Sequence, residues 1–145
     1  LIIQFIGILG AYVMSKISLL TGNFKALGIS IVIWIFLCLY VYQFVWHPWQ
    51  FYIAAAIVGL VMGGIQSLSR STYSKLLPET KDLTSYFSFY DLAEKIGLAI
   101  GTLTFGLIEG LLDIRTSILA LVVFFILGLL LLIRTPQPQA HETSN

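Results

Sequence analysis

Residues 117–133 read SILALVVFFILGLLLLI, a run that contains no charged side chain. An α-helix rises about 1.5 Å per residue, so about 20 residues cross the roughly 30 Å hydrocarbon core of a bilayer. Extended by one residue, this run predicts a transmembrane helix over Thr116–Ile133. A helix that is apolar on every side can face lipid, and this helix is apolar on every side and rich in bulky residues.

The composition of the whole chain extends this prediction to the protein. Of its 145 residues, 58% are hydrophobic and 10% are charged, and the mean hydropathy is +0.93. A soluble domain carries about 25% charged residues, so lipid must be the solvent for most of this chain. The net charge is +1, and the absence of a basic cluster argues against a nucleic-acid partner. A single cysteine, Cys38, excludes a disulfide within the chain.

Four apolar stretches are long enough to span a membrane, and a fifth at the N-terminus is shorter. The sequence therefore predicts an all-α fold, a polytopic bundle of transmembrane helices over residues 1–134, followed by a disordered tail at 135–145. Because the chain starts inside an apolar run and without Met, we expect it to be the C-terminal part of a larger membrane protein. The predicted segments are Leu1–Met14 (partial), Lys25–Tyr42, Phe51–Leu68, Phe87–Gly110 and Thr116–Ile133.

The basic residues predict the orientation of this bundle. Lysine and arginine concentrate in the first connector, in the third connector and at Arg134, whereas the second connector has none. The positive-inside rule assigns the richer side, with the C-terminus, to the cytoplasm. Trp46 and Trp49 fit an aromatic belt at the opposite interface. We expect a multi-pass protein of the cell (inner) membrane.

Glycines distinguish two of the predicted helices from the apolar ones. Small residues four positions apart let helix backbones approach closely, so these pairs predict helix packing and an interior position. The pairs are Gly59 and Gly63, Gly97 and Gly101, and Gly106 and Gly110.

Charged side chains interrupt one of these interior helices in the stretch YDLAEKIGLAIG, residues 90–101. Asp91, Glu94 and Lys95 fall within about one helical turn, and the two acids can offset the lysine. A lone charge at the bilayer centre costs at least about 2.5–3.5 kcal/mol, so these groups should face protein or water. Three roles stay open for them: an ion pair that locks the helix, a gate or coupling-ion element, or simple solvation at the interface, which suits Asp91 better than Lys95.

A second polar group lies in GGIQSLSRS, residues 63–71. Its donors could hold a carboxylate or amide of a solute, and the alternative is that Arg70 is a positive-inside anchor. The candidates here are Gln66, Ser67, Ser69 and Arg70. No metal-ligand spacing and no nucleophile–base pair is present, so we expect no metal, no cofactor and no enzyme activity.

Taken together, GGIQSLSRSTYSKLLPE and YFSFYDLAEKIGLAIGTLTFGLI resemble the vacuolar effluxer-like family of the major facilitator superfamily. The resemblance implies a carrier of the twelve-helix type, of which this chain would supply the last four helices and part of the preceding one. The matching positions are Gly63, Gln66, Ser69, Arg70, Ser71, Leu76, Pro78, Glu79, Phe87, Tyr90 and Lys95.

The function implied by the resemblance is secondary active transport of a small solute by alternating access. Its partners would be the solute, the lipid bilayer and the N-terminal helices of the same protein. Efflux of amino acids is implied by the family alone, because no residue here identifies an amino acid. The alternative is a membrane scaffold or assembly subunit that does not transport.

The first connector departs from the loop motif of the superfamily. Leu19 and Leu20 stand where that motif has an acid and a base. The retained positions are Gly10, Lys16, Gly22, Asn23 and Lys25. This departure puts the charge lock between helices in doubt and leaves open a relaxed gate or a changed loop.

Overall fold

The computed structural model describes residues 2–78 and 82–136, and both ranges are almost entirely helical, as the sequence predicts. Four of the five helices are long and apolar enough to cross a membrane by length and composition: α1, α2, α3 and α5. The predicted tail at 135–145 falls mostly outside the described residues. The helices are α1 (Ile2–Thr21), α2 (Asn23–Phe44), α3 (Pro48–Leu76), α4 (Leu83–Leu111) and α5 (Ile114–Arg134).

Helix α1 is longer than predicted. It continues past Met14 to Thr21, and its stretch Gln4–Thr21 is long enough to span the bilayer. The polar residues after Met14 predict a connector there. The backbone nevertheless stays helical, because helical hydrogen bonds satisfy its peptide groups. Gly22 ends the helix with φ +88°, a conformation that favours glycine, and α2 starts at the next residue.

Helix α4 is 29 residues long, yet it is not among the four helices apolar enough to span. Asp91, Glu94, Lys95 and Glu109 interrupt its apolar run. Asp82 caps its start by accepting a hydrogen bond from the Ser85 backbone amide. Three of the interrupting residues, Asp91, Glu94 and Lys95, are the ones expected to face protein or water.

Helices α1 and α3 pack through glycine. A Cβ atom at Gly10 would collide with the backbone of Leu60, and one at Gly63 would collide with the backbone of Gly7. Gly64 leaves room for the buried side chain of Met14 in the same way. The two backbones therefore approach to a distance that larger residues would not allow.

Helices α2 and α5 form a second pair. The rings of Trp34 and Phe125 stack with centroids 5.2 Å apart. At the end of α2, Arg115 donates to the carbonyl of Tyr42 at 2.9 Å and its guanidinium lies 3.9 Å from the ring centre of Trp46. Helix α2 also packs on α3, which joins the two pairs.

Helix α4 is attached to the bundle through α5. No Cα atom of α4 lies within 8 Å of a Cα atom of α1, α2 or α3. Since the backbone of α4 stays far from the backbone of α3, a cleft remains between α4 and the α1–α3 pair. We call the side that holds the ends of α1, α3 and α5 and the starts of α2 and α4 the basic side, because it carries Lys16, Lys25, Arg70, Lys75 and Arg134.

Candidate functional site

A cleft of about 740 Å³ opens between the glycine-packed pair α1–α3 and the first half of α4. Its walls are mostly apolar, but amide, hydroxyl and charged groups converge on it. Arg70 and Glu94 both line it, and they come from different helices. The lining residues are Gln4, Gly7, Ile8, Ala11, Gly59, Met62, Gly63, Gln66, Ser67, Arg70 and Glu94.

An ion-pair cluster joins α3 to α4 at the basic side of the cleft. Arg70 Nη2 lies 2.8 Å from Asp91 Oδ1 and 3.6 Å from Glu94 Oε2. Asp91 and Glu94 are three residues apart, which places both carboxylates on one face of α4. The Arg70 guanidinium also lies 5.7 Å from the ring centre of Tyr90, within cation–π range. We call these residues, Arg70, Asp91 and Glu94, the clasp.

The clasp differs from the pairing expected within YDLAEKIGLAIG. The sequence predicted that Asp91 and Glu94 offset Lys95, but in the structure both acids pair with Arg70. Lys95 is exposed and makes no ion pair with any residue in 2–78 or 82–136. The local spacing favoured a pair within the helix, whereas a guanidinium from a neighbouring helix can reach two carboxylates at once.

Aromatic side chains reinforce the contact between α3 and α4 beside the clasp. Tyr73 on α3 donates its hydroxyl to the carbonyl of Tyr86 at 2.9 Å. Its ring lies 4.9 Å from that of Tyr90 and 5.9 Å from that of Phe87, centre to centre. Sequence reasoning did not identify Tyr73 or Tyr86, although tyrosines four residues apart on α4 were a usable signal.

Asn23 connects three helices on the basic side. Its Oδ1 accepts hydrogen bonds from the hydroxyl of Ser18 and from Lys75 Nζ, the latter at 3.0 Å. Its Nδ2 donates to Ser71 Oγ at 2.9 Å. Ser71 directly follows Arg70 of the clasp. Where the superfamily motif implied a charge lock, this chain has a hydrogen-bonded node around a neutral amide.

The structure gathers some of the predicted site residues and separates others. Gln66, Arg70 and Glu94 line the cleft, and Asp91 adjoins it through the clasp. Ser69 is half-buried and, like Lys95, is not among the lining residues. Within residues 2–78 and 82–136, no three His, Cys, Asp or Glu side chains are placed to hold a metal ion.

The predicted packing glycines fall into two sets. Gly59 and Gly63 lie against Gly7 of α1. Gly97 and Gly101 instead line an apolar groove of about 700 Å³ between α4 and α5, where no described atom lies within 4 Å of a Cβ built on either glycine. The same is true of Gly106 and Gly110. A packing role for these four glycines stays a prediction.

Comparison with known proteins identifies relatives of this chain. Over 119 residues it is 31% identical to the protein described as an uncharacterized MFS-type transporter, YxiO, of Bacillus subtilis, which covers 81% of this chain and 27% of that protein. It is 40% identical over 62 residues to Autophagy-related protein 22 of Eremothecium gossypii, covering 43% of this chain and 12% of the relative. Autophagy-related protein 22-1 of Phaeosphaeria nodorum is 35% identical over 82 residues, 56% of this chain and 14% of the relative.

The chain thus spans about a quarter or less of the length of these relatives. No solved structure matches it. The sequence profile of the family described as "Vacuole effluxer Atg22 like" matches residues 1–145, the whole chain. Four apolar helices, a relative named as an MFS-type transporter and a family described as vacuole effluxers make it a multi-pass integral membrane protein of a transporter family. The chain belongs to the vacuole effluxer Atg22-like family.

Proposed function

We propose that the chain forms part of a secondary active transporter that moves a small solute by alternating access. The observation that carries this proposal is the cleft between α1, α3 and α4, on which a few polar groups converge, with the clasp at its basic side. Solute sites in such carriers lie between helix bundles that rock against each other. An open cleft with a few convergent polar groups is the form that a solute pathway requires.

Side chains of the cleft supply the chemistry that this function needs. Gln66 and Ser67 offer hydrogen-bond donors and acceptors, and the clasp contributes a guanidinium and two carboxylates. A polar or charged solute would replace water at these groups. We propose Gln66, Ser69, Arg70, Asp91, Glu94 and Lys95 as the residues of the solute or ion pathway and its gate.

The clasp is suited to act as a gate because of how α4 is attached. Helices α3 and α4 contact each other through side chains, so they can separate without disrupting a close backbone interface. The side chains of Arg70, Asp91 and Glu94 are 56%, 44% and 33% exposed, and exposed ion pairs contribute little stability. A contact that opens at low cost serves a gate better than a permanent lock.

Family membership supports the finer parts of the proposal. Relatives are named as an MFS-type transporter and as autophagy-related proteins, and the family is described as vacuole effluxers. We therefore propose efflux, and we propose amino acids as the solutes because the resemblance to this family implies them. The positive-inside rule supports a basic side and a C-terminus that face the cytoplasm. The bilayer and the remaining helices of the protein complete the carrier.

The test is solute flux in proteoliposomes that contain the full-length protein. We expect flux of at least one member of an amino-acid panel, and an Arg70→Gln variant that inserts and folds but loses most of it. Lys16→Gln, a change on the same side but outside the cleft, is the matched control. A full-length protein that moves no solute in the panel would favour the scaffold alternative, and full flux by Arg70→Gln would remove the clasp from the mechanism.

A further inference from the structure

A small groove on the basic side lies apart from the cleft, between the start of α2 and the end of α5. Its volume is about 230 Å³, and all but one of its side chains are apolar. Gly28 lines the groove on α2 and faces Leu129 and Leu132 of α5. A Cβ atom built on Gly28 would lie 3.8 Å from Leu132 and 3.9 Å from Leu129. The lining residues are Phe24, Lys25, Gly28, Leu129, Leu132 and Ile133.

The polar member of the groove, Lys25, is poorly placed for helix stability alone. It lies in the first turn of α2, where the helix dipole favours negative charge and disfavours a cation. Lys25 is exposed and forms no ion pair or hydrogen bond with any residue that the structure describes. An anion bound here would remove the conflict, because it would be attracted by both the ammonium group and the helix terminus.

A second cation adjoins the same groove. Arg134 directly follows the lining residue Ile133 and lies in the last turn of α5. Like Lys25, it is exposed and forms no ion pair within the described ranges. Two such cations at the ends of two apolar helices, beside an apolar groove, match the charged headgroup and the apolar chain of an anionic lipid.

We propose that this groove binds an anionic phospholipid. The phosphate would contact Lys25, with Arg134 beside it, and an acyl chain would lie over Gly28 against Leu129 and Leu132. Basic pockets between transmembrane helices bind anionic headgroups by this combination of charge and apolar surface. The site is independent of the solute cleft, which the α1–α3 pair and α4 form on other faces of the bundle.

The experiment measures lipid binding to the full-length protein by native mass spectrometry in detergent. The probes are palmitoyl-oleoyl phosphatidylglycerol and phosphatidylcholine, which share acyl chains and differ in headgroup charge. We expect the wild type to retain phosphatidylglycerol preferentially. Each interfacial cation should account for about a fivefold difference in affinity, so Lys25→Gln and Arg134→Gln should each weaken phosphatidylglycerol binding about fivefold. Phosphatidylcholine binding should weaken less, because its choline cation offsets the charge of its phosphate.

A third variant tests the apolar part of the site. Gly28→Leu fills the groove without altering charge, so it should weaken the retention of both lipids. Its matched control is Gly128→Leu on α5, where a Cβ atom meets open space. Lys16→Gln controls for charge on the basic side. Equal retention of the two lipids by the wild type, or an unchanged preference in both Lys25→Gln and Arg134→Gln, would overturn the proposal.

Discussion

Arg70 on α3 and Asp91 on α4 are 21 residues apart in the chain, and their Nη2 and Oδ1 atoms lie 2.8 Å apart. The same guanidinium reaches Glu94, so one base serves two acids. The clasp therefore has one carboxylate more than it has cations. That imbalance gives the basic end of the cleft an attraction for a further positive charge, from a solute, an ion or another helix.

Exchanging the two charges of the clasp tests whether the pair or each residue alone matters. Arg70→Asp and Asp91→Arg should each reduce transport by the full-length protein at least about tenfold, because like charges would then face each other between α3 and α4. The double exchange should recover part of the flux, because it restores opposite charges at the same distance. Proteoliposome flux measures the effect, and a double variant as inactive as both single ones would contradict a purely pairwise role.

Substitution of Lys95 distinguishes a role in the gate from a role in a structural ion pair. Because it is exposed and forms no ion pair with the described residues, Lys95→Ala should leave folding and membrane insertion intact. We expect the same variant to abolish transport if Lys95 belongs to the pathway. The thermal unfolding midpoint and the flux are measured on one preparation. Normal flux would remove the functional role, and loss of folded protein would show that Lys95 is a structural residue.

Glycine packing between α1 and α3 predicts a position-dependent effect of alanine. Gly63→Ala places a Cβ atom against the backbone of Gly7 and should destabilise the protein by about 1–3 kcal/mol. Gly106→Ala on α4 meets no described atom and removes a helix-disfavouring residue, so it should be neutral or stabilising by up to about 1 kcal/mol. Chemical denaturation in detergent compares the two. Equal loss of stability in both would mean that the faces of α4 are packed as tightly as α1 on α3.

Asp113 at the start of α5 makes stability depend on pH in the acid range. Hydrogen bonds from the side chain and the backbone amide of Thr116 lower the pKa of Asp113 below its usual value of 3.8. Because the folded-state pKa lies below the unfolded value, the carboxylate stabilises the fold above about pH 3.8. This stabilisation is lost as the pH falls through the folded-state pKa. Unfolding midpoints measured between pH 6 and pH 2.5 should fall more steeply in the wild type than in Asp113→Asn, and parallel curves would contradict this.

The fold was largely predictable because lipid imposes simple rules on a sequence. Long apolar runs such as Thr116–Ile133 identify helices without any tertiary information. Helix ends were less predictable, since α1 passes through Lys16 and Ser18 and stops only at Gly22. Polar residues mark where a chain leaves the membrane, whereas backbone conformation decides where a helix ends. The two positions coincide only where a polar residue also breaks the helix.

The candidate site was predictable in its residues but not in its contacts. Gln66, Arg70, Asp91 and Glu94 stand out because polar groups in an apolar helix are costly. Their pairing depends on how α3 and α4 cross to bring together residues 21 positions apart, and periodicity contains no such information. The contacts of Asn23 were hidden for the same reason, because its partners lie on α1 and α3.

The Asn23 node has a mechanical consequence for the bundle. It fastens the basic ends of α1, α2 and α3 to one another and so adds hydrogen bonds to the close glycine packing of α1 on α3. Helix α4 has no comparable tie to them and is held by the clasp and the tyrosine contacts. The contact between α3 and α4 therefore lacks the close backbone packing that joins α1 to α3. In the proposed transport cycle, opening of the cleft accordingly displaces α4 against α1 and α3.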